Sequence, residues 1–142
     1  MALPAPAGTP RDRPGRTKIA VPTAFTEFLA ELVGTVPMAI GAVIQDSDGE
    51  TVDSFGHMSA FDLMVQSAQW GLLWRELQFP PEPRRLTGTT EILIETDRQK
   101  ILLTTLFKEY YLVFILSKET QLTEARRILD QYLAAIREEM GL

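Results

Sequence analysis

The order of apolar patterns along the chain predicts an α+β fold. It is a five-stranded antiparallel sheet in the order 2-1-5-4-3, with one long helix on one face and the two terminal helices on the other, connected α-β-β-α-β-β-β-α. Three observations lead there. The first, fourth and fifth strand patterns are apolar on both sides of the pleat, so each needs cover on both faces. The gaps between the last three strand patterns are about two residues, which permits only an antiparallel meander. The second and third strand patterns carry Glu50, Asp53 and Ser54, and Glu91, Glu95 and Asp97, so those two belong at the edges.

Residues 1–20 hold Pro4, Pro6, Pro10 and Pro14 and are read as a flexible basic leader; residues 21–142 form the domain. The first helix is expected from Thr23, an N-cap after Pro22, to Gly34, burying Phe25, Phe28, Leu29 and Leu32. Pro37 ends it. Residues 38–45 follow as a strand with Met38, Ile40, Ala42 and Ile44 on one face and Ala39, Gly41 and Val43 on the other. Asp46-Ser47-Asp48-Gly49 is a hairpin turn, and residues 50–55 return as a more polar strand. A helix over 58–77, capped near Ser59, comes next. Phe79-Pro80-Pro81-Glu82-Pro83 cannot be helical and reads as a stiff connector. Residues 88–97, 100–107 and 110–117 give the last three strands. A final helix over 121–140 buries Leu122, Ala125, Leu129, Tyr132, Ile136 and Met140, with Gly141 at its stop.

The helix over 58–77 is apolar on two opposite faces. Phe61, Met64, Val65, Ala68 and Leu72 make the stripe assigned to the domain's own core, and Leu63, Trp70, Trp74 and Leu77 make the other. Burying four large side chains represents on the order of 6–12 kcal/mol gross, an upper bound, so the second face is assigned to association. Ala60, Ser67 and Gly71 form a strip of small residues between the two. It lets another backbone approach closely: either a partner or the domain's own sheet.

Composition narrows the function. The chain has no cysteine, hence no disulfide, thiolate metal site or Cys nucleophile. No run of 18 apolar residues exists, so no spanning helix is expected, and the cytoplasm is the expected location. Residues 1–18 balance at +3 and the remainder at −8, which argues against nucleic-acid binding by the fold itself; the leader is free to touch an acidic partner or to stay solvated. The single histidine, His57, has no ligand set around it, and Asp46 to His57 fails the calcium-loop pattern, with Thr51 where glycine belongs and His57 where the closing glutamate belongs. No phosphate cradle, dinucleotide fingerprint or nucleophile elbow is present, so neither catalytic residues nor a cofactor are expected. Arg75, Arg84, Arg85, Arg98, Arg126 and Arg127 are the groups that could reach a partner's active site, and surface charge is the simpler role for each.

The first hairpin, Ile40-Gly41-Ala42-Val43-Ile44-Gln45-Asp46-Ser47-Asp48-Gly49-Glu50, the long second helix, and Tyr111-Leu112-Val113-Phe114-Ile115-Leu116 before the last helix resemble the Roadblock family of dynein light-chain type. The resemblance spans about residues 23–140. It implies a homodimer joined third strand to third strand, with the second helices paired across the axis. Carried over by position, the interface would include Leu63, Trp70, Leu73, Trp74 and Leu77 with Thr90, Glu91, Ile92, Leu93, Ile94 and Glu95. It further implies a scaffold or signalling regulator that binds a small Ras-like GTPase or another signalling protein, and in some members stimulates GTP hydrolysis by that partner. Ala60, Ser67 and Gly71 are the candidate contact to such a partner. The rival reading is a small-ligand sensor of PAS- or GAF-like architecture, which would need an enclosed pocket with convergent polar groups.

Overall fold

The computed structural model describes residues 24–78, 88–107 and 109–139. Along the chain these form α1 (Ala24–Thr35), β1 (Ala39–Gln45), β2 (Thr51–Gly56), α2 (Ala60–Gln78), β3 (Glu91–Glu95), β4 (Gln99–Phe107), β5 (Tyr110–Ser117) and α3 (Leu122–Glu139). The sheet is antiparallel throughout, in the order β2-β1-β5-β4-β3. The expected fold class, strand order and edge strands are those observed. The leader, the Thr23 cap, the Pro-rich connector, Arg84, Arg85, Met140 and Gly141 lie outside the described residues.

Local chemistry sets the element ends. Asp46 Oδ1 accepts the amides of Asp48 and Glu50 at 2.9 and 3.0 Å, and Gly49 adopts a φ of +83° that closes the β1–β2 turn. Ser59 Oγ accepts the Asp62 amide at 3.0 Å, the side-chain cap that starts α2.

The sheet separates two apolar layers. Ala42 and Ile44 of β1, Leu102 and Leu106 of β4, and Leu112, Phe114 and Leu116 of β5 meet α1 and α3. Val43, Ile101, Leu103, Tyr111, Val113 and Ile115 meet α2. One departure from simple alternation occurs in β1. The β1–β5 register shifts between Ala39 and Gly41, and this bulge turns Ile40 toward the α2 layer while Ala39 joins the α1–α3 layer. In α3 the buried stripe is Ala125, Ile128, Leu129, Leu133 and Ile136. Leu122 and Tyr132, expected inside, pack at its rim, because the Tyr132 hydroxyl reaches Thr35 Oγ1 at 3.0 Å and its ring meets Phe28 edge-on.

Candidate functional site

The structure reverses the expected faces of α2. Leu63, Ser67, Gly71 and Trp74 are the buried residues and face the domain's own sheet. Leu63 sits in a hole left by two glycines: a Cβ on Gly41 or Gly56 would come within 2.9 or 3.2 Å of its methyl carbons. Trp74 stacks on Tyr111 at a centroid distance of 5.4 Å. The small strip lies between them because the sheet beneath is already filled by Val113, Ile115 and Tyr111, and only Ser and Gly let the helix axis come close. Ser67 and Gly71 therefore offer no surface to a partner, and Leu63 and Trp74 are sealed within one chain. Of the residues assigned to contact across the axis, Leu73 is exposed and Trp70 and Leu77 are half-buried; Ala60, assigned to a partner, is exposed at the helix start.

The stripe expected in the core points outward. Phe61 is 74% exposed, Leu72 60%, Val65 45% and Met64 40%, with Ala68 among them. Four large apolar side chains on one helix face, uncovered, form the most prominent apolar surface among the described residues. Beside it, the Gln66 Oε1 and Trp70 Nε1 atoms are buried without a hydrogen-bond partner among the described residues.

The C-terminal end of α2 reaches the chain just before the edge strand β3. Gln78 Nε2, at the end of α2, donates to the carbonyl of Thr89 just before β3, and Trp70, Ile92 and Ile94 each pack against the α2-side core. Among the described residues β3 pairs with β4 alone. Thr105 N–H donates to the Thr90 carbonyl at 3.0 Å, so alternation turns the backbone groups of Ile92 and Ile94 toward β4 and those of Glu91, Leu93 and Glu95 outward. The Leu93 side chain is exposed on the face away from α2. Glu91 is ion-paired with Arg126 of α3, and Glu95 stands opposite Lys100.

A polar network lies under the C-terminal half of α2. Tyr111 donates its hydroxyl hydrogen to Gln45 Oε1, and Arg75 Nη1 donates to the same hydroxyl at 3.3 Å. Burial raises the phenol pKa above its ordinary value, with Arg75 opposing that rise. The guanidinium of Arg75 also lies against Gly49, so it clamps α2 onto the β1–β2 turn. Arg127 pairs with Glu124 at 2.6 Å, and Arg98 stands exposed in the β3–β4 turn.

Among the described residues, both sheet faces are covered by apolar core side chains. An open groove of about 490 Å³ between α1 and α3, lined by Thr35, Glu124, Arg127, Gln131 and Tyr132, lies on the outside of the helical layer. Thr104 Oγ1 reaches across the β3–β4 hairpin to the Thr90 carbonyl at 3.4 Å rather than into a cavity. Among the described residues no three His, Asp or Glu side chains come together as metal ligands, and no helix is long and apolar enough to cross a membrane.

By sequence, no protein-family model and no curated protein matches the chain. Solved structures do. A Roadblock/LC7 domain from Streptomyces avermitilis superposes with a TM-score of 0.65 at 15% identity, covering 82% of this chain and 97% of that one. MglB from Myxococcus xanthus gives 0.66 at 15% identity over 84% and 98%. MglC from the same organism gives 0.61 at 20% identity over 82% and 99%. At such identities the likeness is one of fold.

Proposed function

We propose, starting from the Roadblock/LC7 fold that this chain has, that it is a non-catalytic homodimeric scaffold and regulator that binds a small Ras-like GTPase or a comparable signalling protein in the cytoplasm. The observation that carries the reading is the exposed stripe of Phe61, Met64, Val65 and Leu72 on α2, taken together with β3 standing at the edge of the sheet. Covering that stripe with a second copy removes large apolar side chains from water, and pairing β3 with β3 satisfies outward N–H and C=O groups. The buried, unpartnered Trp70 Nε1 and Gln66 Oε1 lie on the flank such a copy would approach. The contact set thus keeps Trp70, Leu73 and the strand residues 90–95 and takes the outer stripe in place of Leu63 and Trp74. The paired α2 helices would then present a joint platform to the GTPase.

The test is the oligomeric state. Light scattering on the purified chain should give twice the chain mass, and a Val65→Asp, Leu72→Asp double variant should give monomers with an unchanged circular dichroism spectrum. A variant that remains dimeric removes α2 from the interface. The partner is tested with purified Ras-like GTPases of the host, loaded with GDP or a non-hydrolysable GTP analogue. Binding to neither form by the dimer would overturn the regulator reading.

A further inference from the structure

At the sheet edge opposite β3, α1 and β2 run side by side. The Thr26 hydroxyl donates to Asp53 Oδ2 at 2.7 Å near the start of both elements. Gly41 pairs with Gly56, so the end of β2 lies beside the start of β1, which closely follows the end of α1. The helix and the strand therefore point the same way. A helix rises roughly 12 Å from Thr26 to Gly34, and a strand advances roughly 13 Å from Asp53 to His57, so the two rows stay abreast. On α1 the row is Thr26, Ala30 and Gly34, at i, i+4 and i+8. On β2 it is Asp53 and Phe55, with His57 just beyond. Phe55 pairs with Ala42 of the α1–α3 layer and so lies on the α1 side of the sheet. The strip between the rows is apolar and open. Phe55 is 41% exposed, with His57 edge-on to its ring, and a Cβ on Gly34 would meet nothing within 4 Å. The rim is acidic. Glu27 and Glu31 are exposed on the next row of α1, and Glu50 and Asp53 stand on the strand side. From residue 19 to residue 74 the sequence has no Lys or Arg, and none of these four carboxylates is ion-paired among the described residues.

We infer that this α1–β2 surface docks a short amphipathic helix of another protein, with an apolar stripe that covers Phe55 and with Lys or Arg on its flanks facing Glu27, Glu31 and Asp53. The charge of the rim selects the partner. Four carboxylates without a neighbouring base attract a cationic flank and repel an acidic one, and a second copy of this chain would bring the same acidic rim. The backbone selects the form. The Ser54 N–H is already met by the Asp53 carboxylate at 2.8 Å, so the middle of this edge offers an added strand no free donor. A helix satisfies its own backbone groups and brings only side chains. Ala30 and the open space over Gly34 let those side chains settle against α1. Removing the exposed part of the Phe55 ring from water supplies the apolar gain. The surface lies across the sheet from β3, so its occupancy leaves the proposed contact between copies free and does not rest on it.

NMR titration of the full chain tests this. The probe is a synthetic helical peptide with a leucine stripe flanked by lysines, and its control replaces every lysine by glutamate. The lysine peptide should shift the amides of residues 26–34 and 53–57 to saturation, and the glutamate peptide should not. Phe55→Ser, and separately Glu27→Gln with Glu31→Gln, should each weaken binding at least about tenfold with an unchanged circular dichroism spectrum. The Val65→Asp, Leu72→Asp variant should bind the peptide as the wild type does, which separates this surface from the α2 contact between copies. Three results would overturn the inference. The first is peptide shifts confined to α2, or spread over every surface carboxylate including Glu138 and Glu139, with no loss in Phe55→Ser. The second is a change of the same amides with protein concentration alone, which gives the surface to a second copy. The third is a change of those amides, without peptide, in Arg16→Glu with Lys18→Glu, which gives it to the chain's own basic residues.

Discussion

Gly71 is the position in α2 where backbone identity matters most. A Cβ there would meet the Tyr111 hydroxyl at 2.8 Å and crowd Gln45 Oε1, both held in a buried network. Replacing Gly by Ala favours a helix by about 1 kcal/mol, while forcing atoms into a filled site costs about 1–3 kcal/mol, so the crowding wins. Gly71→Ala should lower stability by about 1 kcal/mol in urea titration. Gly34, near the end of α1, has nothing within 4 Å of such a Cβ, and Gly34→Ala should raise stability by about 0.5–1 kcal/mol in the same assay. Tyr111 adds a pH dependence. Its folded pKa lies above the ordinary phenol value, chiefly from burial, so above pH 10 the unfolded chain releases this proton more readily than the folded one. Stability should therefore be full below about pH 10 and fall as pH rises through the folded pKa. Tyr111→Phe should start less stable, having stranded Gln45 Oε1, yet show a shallower alkaline fall when midpoints are followed from pH 9 upward.

The elements were legible from the sequence to the extent that pattern and turn chemistry specify them. Strand polarity placed β2 and β3 at the edges, short gaps fixed the meander, and Asp46 with Gly49 marked the first turn. What periodicity could not supply was which side of α2 faces inward, because both sides are apolar and the wheel alone ranks them equally. Bulk suggested that the tryptophans sought a partner. The deciding feature was complementarity with a strand distant in sequence: Gly41 and Gly56 open a hole for Leu63, and the small Ser67 and Gly71 bring the helix onto Tyr111. The bulge that redirects Ile40 was equally hidden, since it depends on pairing with β5. The two faces should separate by mutation. Leu63→Ala, at a fully buried site, should cost about 2–5 kcal/mol, whereas Leu72→Ala should change stability by less than about 0.5 kcal/mol. The comparison belongs at protein concentrations where the chain is monomeric; a larger cost at Leu72 than at Leu63 would return the outer stripe to the core.

At the scale of the whole molecule, the two sheet edges divide by charge. β2 carries Glu50 and Asp53 with no ion pair among the described residues, while β3 has Glu91 held by Arg126 and Lys100 across the ladder from Glu95, so a copy of itself meets less repulsion at β3. This asymmetry is what directs the proposed dimer to β3, and it can be tested without disturbing either core. Leu93 turns its N–H away from β4, so proline at 93 deletes a donor that the monomer's own ladder does not use, and an edge strand tolerates that change. Leu93→Pro should therefore keep the circular dichroism spectrum and lose no more than about 1 kcal/mol of monomer stability. In sedimentation equilibrium its dimer dissociation constant should rise at least about tenfold, the equivalent of about 1.4 kcal/mol of lost strand pairing. Ile92→Pro, one residue earlier, removes a donor inside the β3–β4 ladder and should instead unfold the hairpin. If Leu93→Pro dimerises as tightly as the wild type, the copies meet through the outer stripe of α2 alone, and the continuous sheet that strand addition would create does not form.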